Sequence, residues 1–145
     1  MAGKSTTANS LKRTLELRTS RRTELQDVTA EIAKVVRVSG CASGVCHLYV
    51  PHTTAGVLIN EGYDPDVARD MEAAFDQLIS RKGNYKHSEG NSDSHIKTAL
   101  VGTSETVSIE DGRLALGQWQ KIFFAEFDGP RLREVLVRIV RHLEV

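Results

Sequence analysis

Apolar and polar residues alternate from Leu11 to Thr19, with Leu11, Leu15 and Leu17 on one side and Lys12, Thr14, Glu16 and Arg18 on the other. A period of two places successive side chains on opposite faces, so this stretch predicts a half-buried strand. The period then lengthens. Leu25, Val28, Ile32, Val35 and Val36 recur at three- and four-residue steps, which predicts a helix, and Gly40 stands where a left-handed cap would end it. Short runs rich in Val, Ile, Leu and Tyr follow at Gly44–Val50 and Ala55–Ile59, predicting two buried strands with PHTT as a tight polar turn between them. Asp64 and Pro65 then open a second helix, whose Val67, Met71, Ala74, Phe75, Leu78 and Ile79 form one apolar stripe.

The stretch from Asn84 to Leu100, NYKHSEGNSDSHIKTAL, is too polar for a core strand. Asp93 or Ser94 can cap a short third helix beginning at His95, with Ile96, Ala99 and Leu100 as its apolar side. Beyond it, Thr103–Glu110 and Leu114–Leu116 flank an EDGR turn and predict a hairpin. Strands are predicted again over Trp119–Phe127 and Leu132–Leu143, the last largely apolar on both faces and therefore central or placed between a sheet and helices or a neighbouring subunit. Strands dominate and helices interrupt them irregularly. The expected fold is a single α+β domain over residues 13–145, with a largely antiparallel, sandwich-like core, two main helices and a short third, behind a flexible N-terminal extension at residues 1–12.

Composition narrows the function. The chain has 145 residues, enough to bury about two-thirds of its unfolded surface without a disulfide or a structural metal. Lysine plus arginine and aspartate plus glutamate are equal at 19 each, so no basic field exists to hold a nucleic-acid backbone, and a small anionic or phosphorylated molecule is the expected partner. Cys41 and Cys46 have neither redox nor zinc-pair spacing and are expected to be reduced, packed thiols. No run is long enough to span a membrane and no signal-peptide core opens the chain, so a cytoplasmic protein is expected. GKST at residues 3–6 lacks the rest of a phosphate-loop motif and is set aside.

Three of the five histidines are candidates for chemistry: His52 at the mouth of a strand, and His87 and His95 in the central loop. Three imidazoles with an open fourth position would make a catalytic divalent-metal site, with zinc the expected ion, whereas histidines that simply hydrogen-bond would leave none. His47 and His142 are assigned to that second class. Asn60 and Glu61 follow directly on Val57, Leu58 and Ile59 and so sit at the end of a buried strand; Glu61 is the candidate general base. Glu126 and Asp128 are further acidic candidates beside the histidines. Arg131, after Gly129 and Pro130, has the planar fork that grips a carboxylate or phosphate. With Lys97 and the helix start at Ser92–Ser94 it would complete an anion pocket. Trp119, the single tryptophan, is expected in the core with its N–H satisfied.

Several separated runs, VPHTTAGVLINE, HSEGNSDSHIK, SETVSIEDGRLALGQWQKI and EFDGPR, together resemble the YjbQ-like family, described as the secondary thiamine-phosphate synthase family, from about Leu15 to Val140. The resemblance implies a homotrimer with a metal-associated pocket near a subunit interface, lined by His52, His87 and His95. It also supports Asn60, Glu61, Asn91, Asp93, Ser94 and Arg131 as pocket residues. It implies a transferase joining a pyrimidine-methyl pyrophosphate to a thiazole phosphate, in which the metal, Arg131, Lys97 and a helix start would stabilise the leaving pyrophosphate. The alternatives are a metal-dependent hydrolase using the same three histidines with Glu61 as base, and a non-enzymatic trimer that binds a ligand or a metal.

Overall fold

A computed structural model describes residues 9–143. Eleven elements follow one another: β1 (Ser10–Arg18), β2 (Glu24–Asp27), α1 (Thr29–Ser39), β3 (Gly44–Tyr49), β4 (Ala55–Glu61), α2 (Pro65–Leu78), α3 (Ser92–Val101), β5 (Ser104–Glu110), β6 (Arg113–Leu114), β7 (Gln120–Glu126) and β8 (Leu132–Arg141). They form a five-stranded sheet in the order β1-β8-β3-β5-β6 and a three-stranded sheet in the order β2-β7-β4, and every pairing is antiparallel. This is the single α+β domain with an antiparallel core and three helices that the pattern predicts. Strand β1 begins at Ser10, and residues 1–8 of the expected extension, GKST included, lie outside the described residues.

The main core lies between the two sheets and under α1. Val135, Val137 and Ile139 of β8, Cys46 and Leu48 of β3, and Ile122 and Phe124 of β7 meet Ile32 and Val36 of α1 there, each at most 1% exposed. Each such side chain withdrawn from water stabilises the fold by about 2 kcal/mol. Strand β7 is buried on both faces, because Phe123 and Ala125 point the other way, join Leu25 and Phe127, and form a second cluster beneath α2.

Helix α1 ends as predicted, at Gly40 in the left-handed region with φ 64°. It begins later than its period suggests. Leu25 is a strand residue paired with Ala125, and the Asp27 carboxylate accepts from the Thr29 N–H at 2.9 Å, so the chain turns before the helix starts. Asp64 caps α2 as expected, its Oδ1 accepting from the Asp66 N–H at 2.9 Å. The α2 stripe, however, is only half-covered. No residue of α2 is buried, Phe75 packs edge-on against Phe127 at 5.5 Å, and Leu78 is 70% exposed.

Two further expectations change. PHTT is not a hairpin turn, because β3 pairs with β5 and β8 while β4 pairs with β7; Pro51–Thr54 carries the chain from one sheet to the other. Two apolar runs facing each other across a sandwich show the same sequence pattern as two neighbours in one sheet. Trp119 is not a core residue. It is 57% exposed and stacks edge-to-face with Tyr63 at 5.7 Å. The EDGR hairpin is present, with positive φ at Asp111 and Gly112, and both cysteines are free and buried.

Candidate functional site

Three connections converge where β4 and β7 meet the start of α3. The Pro51–Thr54 crossover supplies His52, the last residues before α3 supply Glu89 and Asn91, the first turn of α3 supplies His95, and the Asp128–Arg131 turn after β7 supplies its two charged ends. With Arg133 of β8 they line a polar pocket of about 350 Å³. The far end of helix α3 lies close against β4 because Gly56 has no side chain. A Cβ at that position would run into the Gly102 carbonyl that ends α3 and accepts from the Val57 N–H at 3.2 Å.

The pocket rests on a continuous ionic network. Glu126, fully buried, receives Nε and Nη2 of Arg133 at 2.8 and 2.6 Å, the Thr19 hydroxyl at 2.9 Å and the Asp128 N–H at 2.9 Å. Arg133 also donates to the Thr54 hydroxyl at 2.8 Å. Asp128 accepts from Arg22 at 3.1 Å, Asn91 at 3.0 Å and Arg131 at 3.0 Å. Burial would raise the Asp128 carboxyl, but the hydrogen bonds from Asn91 and Arg131 and the charges of Arg131 and Arg22 outweigh it and hold it below the usual carboxylate range. Deeper still, Lys97, 2% exposed, bridges Asp93 at 3.1 Å and Asp76 at 2.8 Å, and Arg22 reaches Asp93 at 3.1 Å.

His52 has a fixed role. Its Nε2 accepts from the Glu134 N–H at 3.0 Å, so the neutral ring carries its proton on Nδ1. Burial, reinforced by the Arg133 charge, pushes the imidazole below its usual range against weaker pulls from Glu134 and Glu126, which favours that neutral form. Neither nitrogen then offers a lone pair to a metal. His87 and His95 stand edge to face with ring centroids 5.6 Å apart, and His87 Nε2 lies 3.7 Å from Glu89. Among the described residues no group of three or more His, Cys, Asp or Glu side chains is placed to hold a metal ion. The three histidines do not fit the divalent ion expected of them.

Of the expected site residues, the structure brings His52, Asn91, His95 and Arg131 to one pocket. His87 lines an adjoining cavity that shares His95. Asp93, Ser94 and Lys97 lie beneath the pocket, not in it. The two hydroxyl and carboxylate groups do not cap α3: Asn91 is its N-cap residue, no side chain caps it, and Ser94 Oγ instead donates to the Phe127 carbonyl. Asn60 and Glu61 are elsewhere. They end β4, whereas the pocket lies at Ala55, the beginning of that seven-residue strand, about 20 Å away at the rise of an extended chain. The Asn60 side chain folds back to accept from the Glu61 N–H at 2.7 Å.

Arg22 and Arg133 were not singled out in the sequence. Arg133 had a legible signal, since it falls in phase with Val135, Val137 and Ile139 on the inward face of β8, and an arginine in a buried row needs a carboxylate. Arg22 had none beyond its closeness to Arg18 and Arg21 in the sequence.

The model of the family described as UPF0047 protein YjbQ-like matches residues 13–142. A UPF0047 protein of Methanocaldococcus jannaschii is 50% identical over 125 residues, covering 86% of this chain and 91% of its own. The UPF0047 protein YugU of Bacillus subtilis is 43% identical over 129 residues, covering 88% and 98%. Among solved structures, an uncharacterized conserved protein of the yjbq/upf0047 family from Clostridium acetobutylicum superposes with a TM-score of 0.87 at 47% identity, covering 88% of this chain and 99% of its own. A YbjQ-like protein of unknown function from Sulfolobus solfataricus does so with 0.88 at 28% identity, covering 92% and 98%. These names assign no reaction. The expected metal-dependent enzyme, with thiamine-phosphate synthase as its example and a three-histidine hydrolase as its alternative, is therefore corrected. The relatives are named only as UPF0047 or uncharacterised proteins, and the expected metal ligands are not assembled.

Proposed function

The chain belongs to the YjbQ-like UPF0047 family, and for it we propose the binding of a small hydroxy-carboxylate in the pocket between the Pro51–Thr54 crossover, the start of α3 and the Asp128–Arg131 turn. The observation that carries this reading is Asn91. Its amide N–H donates to Asp128, and its Oδ1 is buried and without a partner on a residue that lines the pocket. A buried acceptor without a donor is costly, and a ligand hydroxyl would satisfy it.

Donors are left over around Asn91. They are His52 Nδ1–H and the Nη1 edge of Arg131, whose Nε and Nη2 grip Asp128. Together they suit an oxyanion. Its charge should be single. Arg22, Lys97, Arg131 and Arg133 are already matched by Asp76, Asp93, Asp128 and Glu126, four against four, and Glu89 adds a further negative group at the rim. With no surplus positive charge, hydrogen-bond donors must hold the anion; a monocarboxylate with a neighbouring hydroxyl satisfies both them and Asn91, and a dianion would add a second uncompensated charge.

Calorimetric titration with lactate and acetate tests this. Lactate is expected to bind about fivefold more tightly than acetate, the worth of one neutral hydrogen bond, and the advantage should vanish in Asn91→Leu. A protein that binds neither, or that prefers acetate, would contradict the reading.

The homotrimer belongs to the same proposal. Leu132 and Val140 on the outward face of β8 and Tyr49 on β3 are 57%, 37% and 45% exposed, an apolar surface suited to a second copy.

A further inference from the structure

Resting on that reading of the polar pocket, we infer that the ligand's hydroxy-carboxylate carries an aromatic ring, seated in the adjoining cavity. That cavity, about 430 Å³, is lined by Tyr85, Lys86, His87, Ser92, His95 and Ile96. His95 belongs to both walls, so the two spaces are neighbours across one residue. Their characters differ: one is bounded mainly by charged and amide groups, the other by the three rings of Tyr85, His87 and His95 and by Ile96, with Lys86 and Ser92 beside them.

The second cavity is built of flat surfaces. His87 and His95 stand at an interplanar angle of 84°, forming two walls of a right-angled corner. Tyr85 closes it from residues 79–91, which form neither helix nor strand. Its ring is nonetheless held: the hydroxyl donates to the Ser80 carbonyl at 2.6 Å, and the ring lies so close over Gly83 that a Cβ there would stand 2.6 Å from it. A long irregular segment that fixes one aromatic beside a polar pocket is organised for contact with a ligand. Rings prefer edge-to-face and offset contacts at 4.5–7 Å, and a planar ring entering this corner makes them with both imidazoles and with Tyr85. The ligand class is accordingly an aryl 2-hydroxy carboxylate, with the carboxylate and hydroxyl on Arg131 and Asn91 and the ring past His95.

Titration of the full chain with mandelate and with lactate, which differ by a phenyl in place of a methyl group, tests this directly. Mandelate is expected to bind at least tenfold more tightly. Tyr85→Ala and, independently, Ile96→Ala on the exposed side of α3 should each reduce mandelate binding severalfold and leave lactate binding unchanged. Lactate binding with no gain for mandelate overturns the inference and leaves the hydroxy-carboxylate pocket standing. A gain retained in both variants overturns the placement of the ring. Failure to bind either acid overturns the pocket reading and this inference with it.

Discussion

His52 shows how one hydrogen bond decides what a residue can do. A histidine after a proline at a strand mouth is compatible with metal ligation, catalysis or a structural role, and the Glu134 N–H donated to its Nε2 selects the last, with Nδ1–H left as a donor. The consequence is a pH dependence with a definite sign. Its folded-state pKa lies below the unfolded value of 6.5, so the unfolded chain takes up its proton first. Stability attributable to His52 is complete above about pH 6.5 and is lost as pH falls from there through the folded-state value. Thermal melts of the wild type should decline across that window, and those of His52→Phe should be flatter. Equal slopes would show that the ring is not held neutral by the fold.

At the scale of elements, α3 is a platform whose buried side carries ions in place of a hydrocarbon face. Asp93, Ser94, Lys97 and Thr98 are its buried residues, while Ile96 and Leu100 are exposed. This inverts the expectation that Ile96, Ala99 and Leu100 would be its packed side. The pattern misleads because Lys97 is buried only by virtue of Asp93, one turn earlier on the same helix, and Asp76, on α2, and no periodicity encodes that partner. Lys97→Met, which keeps the volume but strands Asp93, should destabilise the protein by about 3 kcal/mol in urea unfolding. A loss below about 1 kcal/mol would mean that Arg22 alone suffices for Asp93.

Elements marked by local chemistry were legible in the sequence: the Gly40 cap, the Asp64–Pro65 helix start, the Asp111–Gly112 turn and the alternation of β1 and β8. What depended on partners distant in sequence was not. Leu25 reads as helix because its pairing with Ala125 lies a hundred residues away, and PHTT reads as a hairpin because alternation does not say which sheet a strand joins. The site was half legible for the same reason. His52, Asn91, His95 and Arg131 share a pocket, whereas Asn60 and Glu61 follow a buried run at its far end, and a strand has two ends.

For the whole molecule, the two sheets close one core while apolar residues on the outward face of β8 and part of the α2 stripe remain uncovered. A trimer of the 16.0 kDa chain, about 48 kDa, is the proposed resolution, and sedimentation equilibrium measures it. A monomer in solution would leave those surfaces without the proposed partner. The account turns most of all on the polar pocket. Its most direct test is the set of backbone amide shifts in two-dimensional nitrogen–proton spectra as lactate is added. The largest changes should fall on His52, Asn91 to His95 and Arg131. Changes centred on Asn60 and Glu61 at the far end of β4, or no saturable change at all, would contradict the claim that this pocket is where the protein binds its ligand.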